Sequence, residues 1–276
     1  LAFHSTTRHL GGKILSTENN QFLDLLVDGQ PFATQNLAGT ESFAFTDLPA
    51  DGKLIELWLP QAGDFALRHL EIEEGSAISP YIDTRPRWIT YGSSITQCRA
   101  AESPSQTWPA LVARARGQNL CCLGFGGQCH LDSLIARIIR DQPADSISIC
   151  AGINVYGNGS LNARSFASAL TGFVQIIREK HPETPLALIS PVYSRTREST
   201  PNAAGWTLAD YRNAVHETAL GLRDHGDSRI QAVNGLDLFD ESLESLMPDG
   251  LHPDAEGYRQ MGARFLEHAA PVLFGP

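Results

Sequence analysis

Trp88-Ile89-Thr90-Tyr91-Gly92-Ser93-Ser94-Ile95-Thr96 is where the grammar of this chain changes. Trp88 to Tyr91 combines aromatic and β-branched residues that suit a pleated strand. It runs into small polar residues and then into a segment able to start a helical turn. Downstream the alternation continues. Thr107 to Arg116 has helical spacing, Leu120 to Phe125 is strand-like, and Leu131 to Arg140 places Leu131, Leu134, Ile135, Ile138 and Ile139 on one helical face. Strands are expected over Ser146–Ala151, Pro185–Ile189 and Ile230–Val233, and helices over Phe166–Lys180, Leu208–Arg223 and Ala255–Ala269. Strand alternating with helix implies a parallel sheet covered on both faces, a three-layer α/β/α domain.

Upstream of Arg87 the pattern is different. Phe22-Leu23-Asp24-Leu25-Leu26-Val27 runs into the turn signal Asp28-Gly29. Short apolar stretches follow at Phe43–Phe45, Leu54–Leu59 and Phe65–Ile72, separated by segments rich in Gly, Pro and Asp. Strands at this spacing fit a small all-β sandwich. Pro80 and Pro86 flank a link between domains. The expected organisation is therefore a β-sandwich over residues 1–85, with a substrate-access or carbohydrate-binding-like role, and an α/β catalytic domain over 86–276.

The chain has 276 residues, of which 42% are hydrophobic, enough for packed cores in both. A net charge of −10 argues against nucleic acid, whose phosphates need a basic surface. No apolar run is long enough to span a bilayer, and no basic-then-apolar leader is visible. Five cysteines without a C-x-x-C pair exclude a fully paired disulfide framework and speak against a zinc site. Compartment and oligomeric state stay open, with the cytoplasm favoured over secretion.

In parallel sheets, sites form beyond the carboxyl ends of the strands. Four segments carry chemistry to that edge. Ser94 follows the strand ending at Tyr91, with Ser93 as the competing nucleophile. Asp249-Gly250-Leu251-His252-Pro253 supplies a carboxylate and an imidazole before the last helix. A serine hydroxyl becomes nucleophilic when a base takes its proton and a third group orients that base. Gly126, in Leu123-Gly124-Phe125-Gly126-Gly127, lets a backbone N–H approach a ligand closely, and the Asn154 amide can donate to an oxyanion. Each motif alone is as compatible with a tight turn or a surface loop. Together they read as a serine esterase.

Gly92-Ser93-Ser94-Ile95-Thr96, Gly126, Gly152-Ile153-Asn154 and Asp249-Gly250-Leu251-His252-Pro253 resemble, in order, the four blocks of the SGNH (GDSL-type) hydrolases. The usual Gly-Asp-Ser has become Gly-Ser-Ser, and Val155 follows Asn154 where many members have Asp. The wider text resembles a subgroup with an N-terminal β-sandwich, which includes carbohydrate esterases and at least one acyltransferase of natural-product biosynthesis. The resemblance implies Ser94 as nucleophile, His252 as base, Asp249 as its orienting partner, and an oxyanion hole from the N–H groups of Ser94 and Gly126 with Asn154. It implies no metal or organic cofactor, and a small-molecule or glycan ester as substrate. Hydrolysis of a short-chain ester, such as an acetyl ester of a carbohydrate, is the expected reaction. An acyltransferase with the same residues and a glycan-binding module with vestigial machinery are the alternatives. Cys98 and Cys129 lie close to the motifs, as a disulfide or as two buried thiols. Cys121, Cys122 and Cys150 read as core. His130 is read as a solvated or packed imidazole.

Overall fold

The structure is a computed structural model that describes residues 1–16 and 21–275. Residues 17–20 and Pro276, which fall within the two expected domains, lie outside the described residues. Backbone contacts divide the chain into two units, Leu1–Thr84 with Ala101–Gln106, and Arg85–Ala100 with Thr107–Pro276.

The first unit is built from strands β1 (Ala2–Ser5), β2 (Leu10–Ser16), β3 (Phe22–Val27), β4 (Gln30–Asn36), β5 (Ser42–Phe45), β6 (Lys53–Trp58), β7 (Phe65–Ile72) and β8 (Ile78–Pro80). They form two antiparallel sheets, in the orders β4-β3-β6-β1-β8 and β5-β2-β7. Phe3, Leu25, Ile55 and Leu57 of one sheet and Leu10, Phe43 and Phe45 of the other share one core, as inward residues of a sandwich do. Asp28 and Gly29 turn β3 into β4 with φ of 50° and 75°, the geometry of a two-residue hairpin. Segment 101–106 is pinned within this unit by a buried carboxylate. Asp24 accepts from Ser103 Oγ (2.6 Å), the Ser105 N–H (2.8 Å) and Thr34 Oγ1 (2.6 Å). Three donors satisfy a charge that would be costly to bury alone.

The second unit holds strands β9 (Arg87–Gly92), β10 (Asn119–Gly124), β11 (Ser146–Cys150), β12 (Leu186–Ile189) and β13 (Ile230–Val233) in one parallel sheet of order β10-β9-β11-β12-β13. Its helices are α1 (Ser94–Gln97), α2 (Trp108–Ala115), α3 (Ser133–Asp141), α4 (Ile153–Asn158), α5 (Phe166–Arg178), α6 (Arg195–Ser199), α7 (Leu208–Asp224), α8 (Gly235–Leu238), α9 (Ala255–His268) and α10 (Ala270–Phe274). Alternate strand residues separate the two faces. Ile89, Tyr91, Ile147, Ile149, Leu186 and Leu188 pack with Phe166, Phe173 and Tyr211 beneath α3, α5 and α7. On the other face Trp88 meets Trp108 and Phe265 (centroids 6.0 and 5.3 Å), beneath α2 and α9. Trp88 donates Nε1–H to Ser148 Oγ (3.0 Å), which donates to Thr90 Oγ1 (2.9 Å), so the polar atoms under the tryptophan are paired. Among the described residues, no helix is long and apolar enough to cross a membrane.

Two expectations need correction. Leu134 and Ile138 are 72% and 48% exposed, whereas Ala136 and Ile139 are buried. Leu131 takes a positive φ of 64° and Asp132 stands at the N-cap position, so α3 begins at Ser133 and Leu131 is out of helical phase. The buried face follows the packing on α5 rather than the full apolar stripe. Cys121 and Cys122 are exposed because β10 is an edge strand.

All five cysteines are free thiols. Burial pushes the Cys98 thiol well above its ordinary value and that of Cys129 up to about 12. Only the thiolate reacts with alkylating agents. Alkylation of the native protein at neutral pH is therefore expected to spare Cys98 and Cys129, and unfolding is expected to release them. Peptide mass spectrometry before and after denaturation checks this. Labelling of either in the native state at the rate of a free thiol would contradict the packing.

Candidate active site

β9 ends at Gly92, Ser93 caps α1, and Ser94 is the first helical residue. The Ser93 hydroxyl accepts from the Ile95 N–H at 3.2 Å, and the residue is only 2% exposed. Its oxygen is committed to satisfying a helix N-terminus. Ser94, half-buried, instead sets its Oγ 2.8 Å from Nε2 of His252. Two neighbours hold this turn. Trp108 donates Nε1–H to the Ile95 carbonyl at 2.9 Å. A Cβ on Gly124 would lie 2.6 Å from Gln97 Cα and closer still to its nitrogen, so β10 meets the turn backbone to backbone.

His252 and Asp249 lie on the loop leading into α9. Asp249 Oδ1 accepts from the N–H groups of Leu251 (2.9 Å) and His252 (2.7 Å), and Oδ2 meets His252 Nδ1 at 2.6 Å. An ionised carboxylate only accepts, so it holds the ring proton on Nδ1 and leaves the Nε2 lone pair facing Ser94. Partial burial pushes the Asp249 carboxyl up, but the bonds from His252 and Leu251 outweigh it and hold the group at about 2. With its folded value below the ordinary 3.8, the stability tied to this carboxylate is present above that ordinary value. It is lost as pH falls towards about 2. The side chain is 55% exposed, so that contribution is small. The functional consequence is larger: the carboxylate stays ionised throughout the neutral range.

The remaining expected residues come to the same strand edge. A Cβ on Gly126 would lie 3.7 Å from Ser94 Cβ, so the loop after β10 runs against the serine. Among the described residues, neither the Ser94 nor the Gly126 N–H donates to another protein group. Asn154 stands in the first turn of α4. Its side chain meets the Cys129 N–H at 3.0 Å, and an N–H can face only the amide oxygen. The Asn154 NH2 is thereby turned the other way, free to donate.

His130 lies on the loop after Gly126. Its ring meets Gly127 O (3.1 Å) through Nε2 and Ser160 Oγ (2.8 Å) through Nδ1, tying the loop after Gly126 to the end of α4. Ser194 and Arg197, after β12, both donate to the Gly250 carbonyl beside the Asp249 turn. No local motif marks Ser194 and Arg197, because the carbonyl they share is distant in sequence.

Residues 86–269 match the model of the GDSL-like lipase/acylhydrolase family. Among solved structures, the salicylyl-acyltransferase SsfX3 from a tetracycline biosynthetic pathway is similar at 35% identity and a TM-score of 0.90, over 99% of this chain and 82% of its own. A carbohydrate esterase family 2 enzyme with a carbohydrate-binding domain, from Corynascus thermopiles (Myceliophthora fergusii), gives a TM-score of 0.73 at 18% identity, over 99% of this chain and 93% of its own. An acetyl xylan esterase from the rumen bacterium Butyrivibrio proteoclasticus gives 0.66 at 12% identity, over 96% and 88% respectively. The latter two likenesses are of fold. Among curated proteins, none matches this chain.

Proposed function

The chain belongs to the GDSL-like lipase/acylhydrolase family and is a carboxylic ester hydrolase, and from that premise we propose that it cleaves short-chain esters through an acyl-enzyme on Ser94. The observation that carries this reading is the relay from Ser94 Oγ to His252 Nε2 (2.8 Å) and from His252 Nδ1 to Asp249 Oδ2 (2.6 Å). His252 takes the Ser94 proton as Oγ attacks the ester carbonyl. The resulting imidazolium is stabilised by the Asp249 carboxylate, ionised because its bonds hold it at about 2. The oxyanion is met by the Ser94 and Gly126 N–H groups and the Asn154 amide, each worth on the order of 10²–10³ in rate. His252 then protonates the leaving alcohol and activates the water that releases the acid.

An acetyl ester of a carbohydrate is the substrate class we favour. The carbohydrate and acetyl xylan esterases that share this fold support it, and the absence of a strong positive charge suits a neutral glycan. A second reading draws on a specific observation. Similarity at 35% identity to a salicylyl-acyltransferase supports transfer of the acyl group to an alcohol in place of water. Both readings use the same first half-reaction and part at deacylation.

Product analysis separates them. Incubation with p-nitrophenyl acetate and increasing sugar or alcohol acceptors is expected to release acetate at an undiminished share of turnover. Diversion of most of the acyl group into a new ester at modest acceptor concentration would favour transfer.

A further inference from the structure

Asp249 is held by the same peptide unit that Ser194 and Arg197 grip from behind. The Leu251 N–H donates to Asp249 Oδ1 at 2.9 Å, and the carbonyl at the other end of that planar unit is Gly250 O. Ser194 Oγ donates to Gly250 O at 2.7 Å, and Arg197 Nη1 donates to it at 3.2 Å and to Ser194 Oγ at 2.9 Å. Gly250 takes a φ of 69°, the left-handed conformation that favours glycine.

The grip is anchored in turn. Ser194 is 1% exposed, and its N–H donates to Glu198 Oε1 at 3.1 Å. Glu198 receives both terminal nitrogens of Arg212 at 2.9 Å, and Arg212 Nε donates to Pro191 O at 3.0 Å. A forked guanidinium–carboxylate pair fixes direction as well as distance. Arg212 lies in α7, so a continuous chain of hydrogen bonds runs from a core helix through Glu198 and Ser194 to the peptide that orients Asp249.

We propose that Ser194 and Arg197 are positioning residues of the acid–base arm, setting the orientation of Asp249 and hence of His252 through the Gly250–Leu251 peptide. The inference rests on the reading of Ser94, His252 and Asp249 as the reacting set. A donor at Gly250 O polarises the peptide and strengthens what its N–H gives to the carboxylate. It also stops the planar unit from rocking, which would carry the Leu251 N–H away from Oδ1. Misplacements well below 1 Å are enough to cost rate, since about 1 Å costs about 10²-fold.

The test compares Ser194→Ala, Arg197→Ala and Arg197→Lys with wild type on p-nitrophenyl acetate, alongside the low-field proton resonance of His252 Nδ1–H. Ser194→Ala and Arg197→Ala are expected to lose about 10-fold in kcat with KM nearly unchanged. Their Nδ1–H resonance is expected to shift or broaden. Arg197→Lys, which keeps a cationic donor, is expected to regain most of the loss. Arg197 is only half-buried, so its variants keep the question open to test if Ser194→Ala folds poorly. Unchanged kcat in both alanine variants, or a loss of rate with the resonance unmoved, would overturn the proposal. Ser94→Ala serves as the separate control. Turnover surviving there would remove the reading of the site itself, and the positioning role with it.

Discussion

Ser94→Ala is expected to lower kcat by about 10⁶-fold, leaving only what oxyanion donors and binding provide over water. Ser93→Ala is expected to retain turnover within about 10-fold and to lose about 1 kcal/mol of stability, the usual cost of an N-cap. The contrast follows from where each hydroxyl is spent. Ser93 Oγ is buried against the Ile95 N–H, whereas Ser94 Oγ stands 2.8 Å from His252 Nε2. Steady-state kinetics with thermal melts on both variants separate a chemical from a structural role. Full activity in Ser94→Ala, or abolition by Ser93→Ala in a folded protein, would reverse the assignment.

The next largest effects are expected at His252 and Asp249. His252→Ala should approach the loss in Ser94→Ala, and the double variant should lose little more, because residues acting as one unit are not additive. Asp249→Asn should cost about 10⁴-fold, since an amide in place of the carboxylate no longer fixes the ring proton on Nδ1. The pH dependence sharpens this. Asp249, held at about 2, does not titrate in an ordinary assay range. An acid limb in the wild-type rate within that range therefore does not arise from Asp249. A pH–rate profile in which Asp249→Asn matches wild type would reduce the relay to a dyad.

Much of this architecture can be read from residues alone, and the reasons are physical. The strands Phe65–Ile72 and Ile230–Val233 and the long helices announce themselves through composition and period. Helices α1, α4, α6 and α8 do not, being too short to display a helical period. The apolar stripe of α3 misleads because its helix starts two residues late and part of the stripe, at Leu134 and Ile138, faces solvent. Cys121 and Cys122 mislead because strand order, which makes β10 an edge, is not written in local sequence. At the site, the segments holding Ser94 and Asp249–His252 are legible because each is a compact motif, the first at a strand end and the second on the loop entering a helix. Ser194 and Arg197 act on a backbone carbonyl distant in sequence, and His130 on Gly127 O and the Ser160 hydroxyl, so no spacing betrays them. Their roles depend on where β12 and the loop after β10 deliver the chain.

Acylation of Ser94 by an ester is open to trapping by rapid acid quench of the protein with p-nitrophenyl acetate, followed by peptide mapping. An acetyl group is expected on the peptide spanning Ser93 and Ser94, localised to Ser94 by fragmentation and absent from Ser94→Ala. An acetyl group on Ser93, or turnover with no acylated residue in the quenched protein, would contradict it.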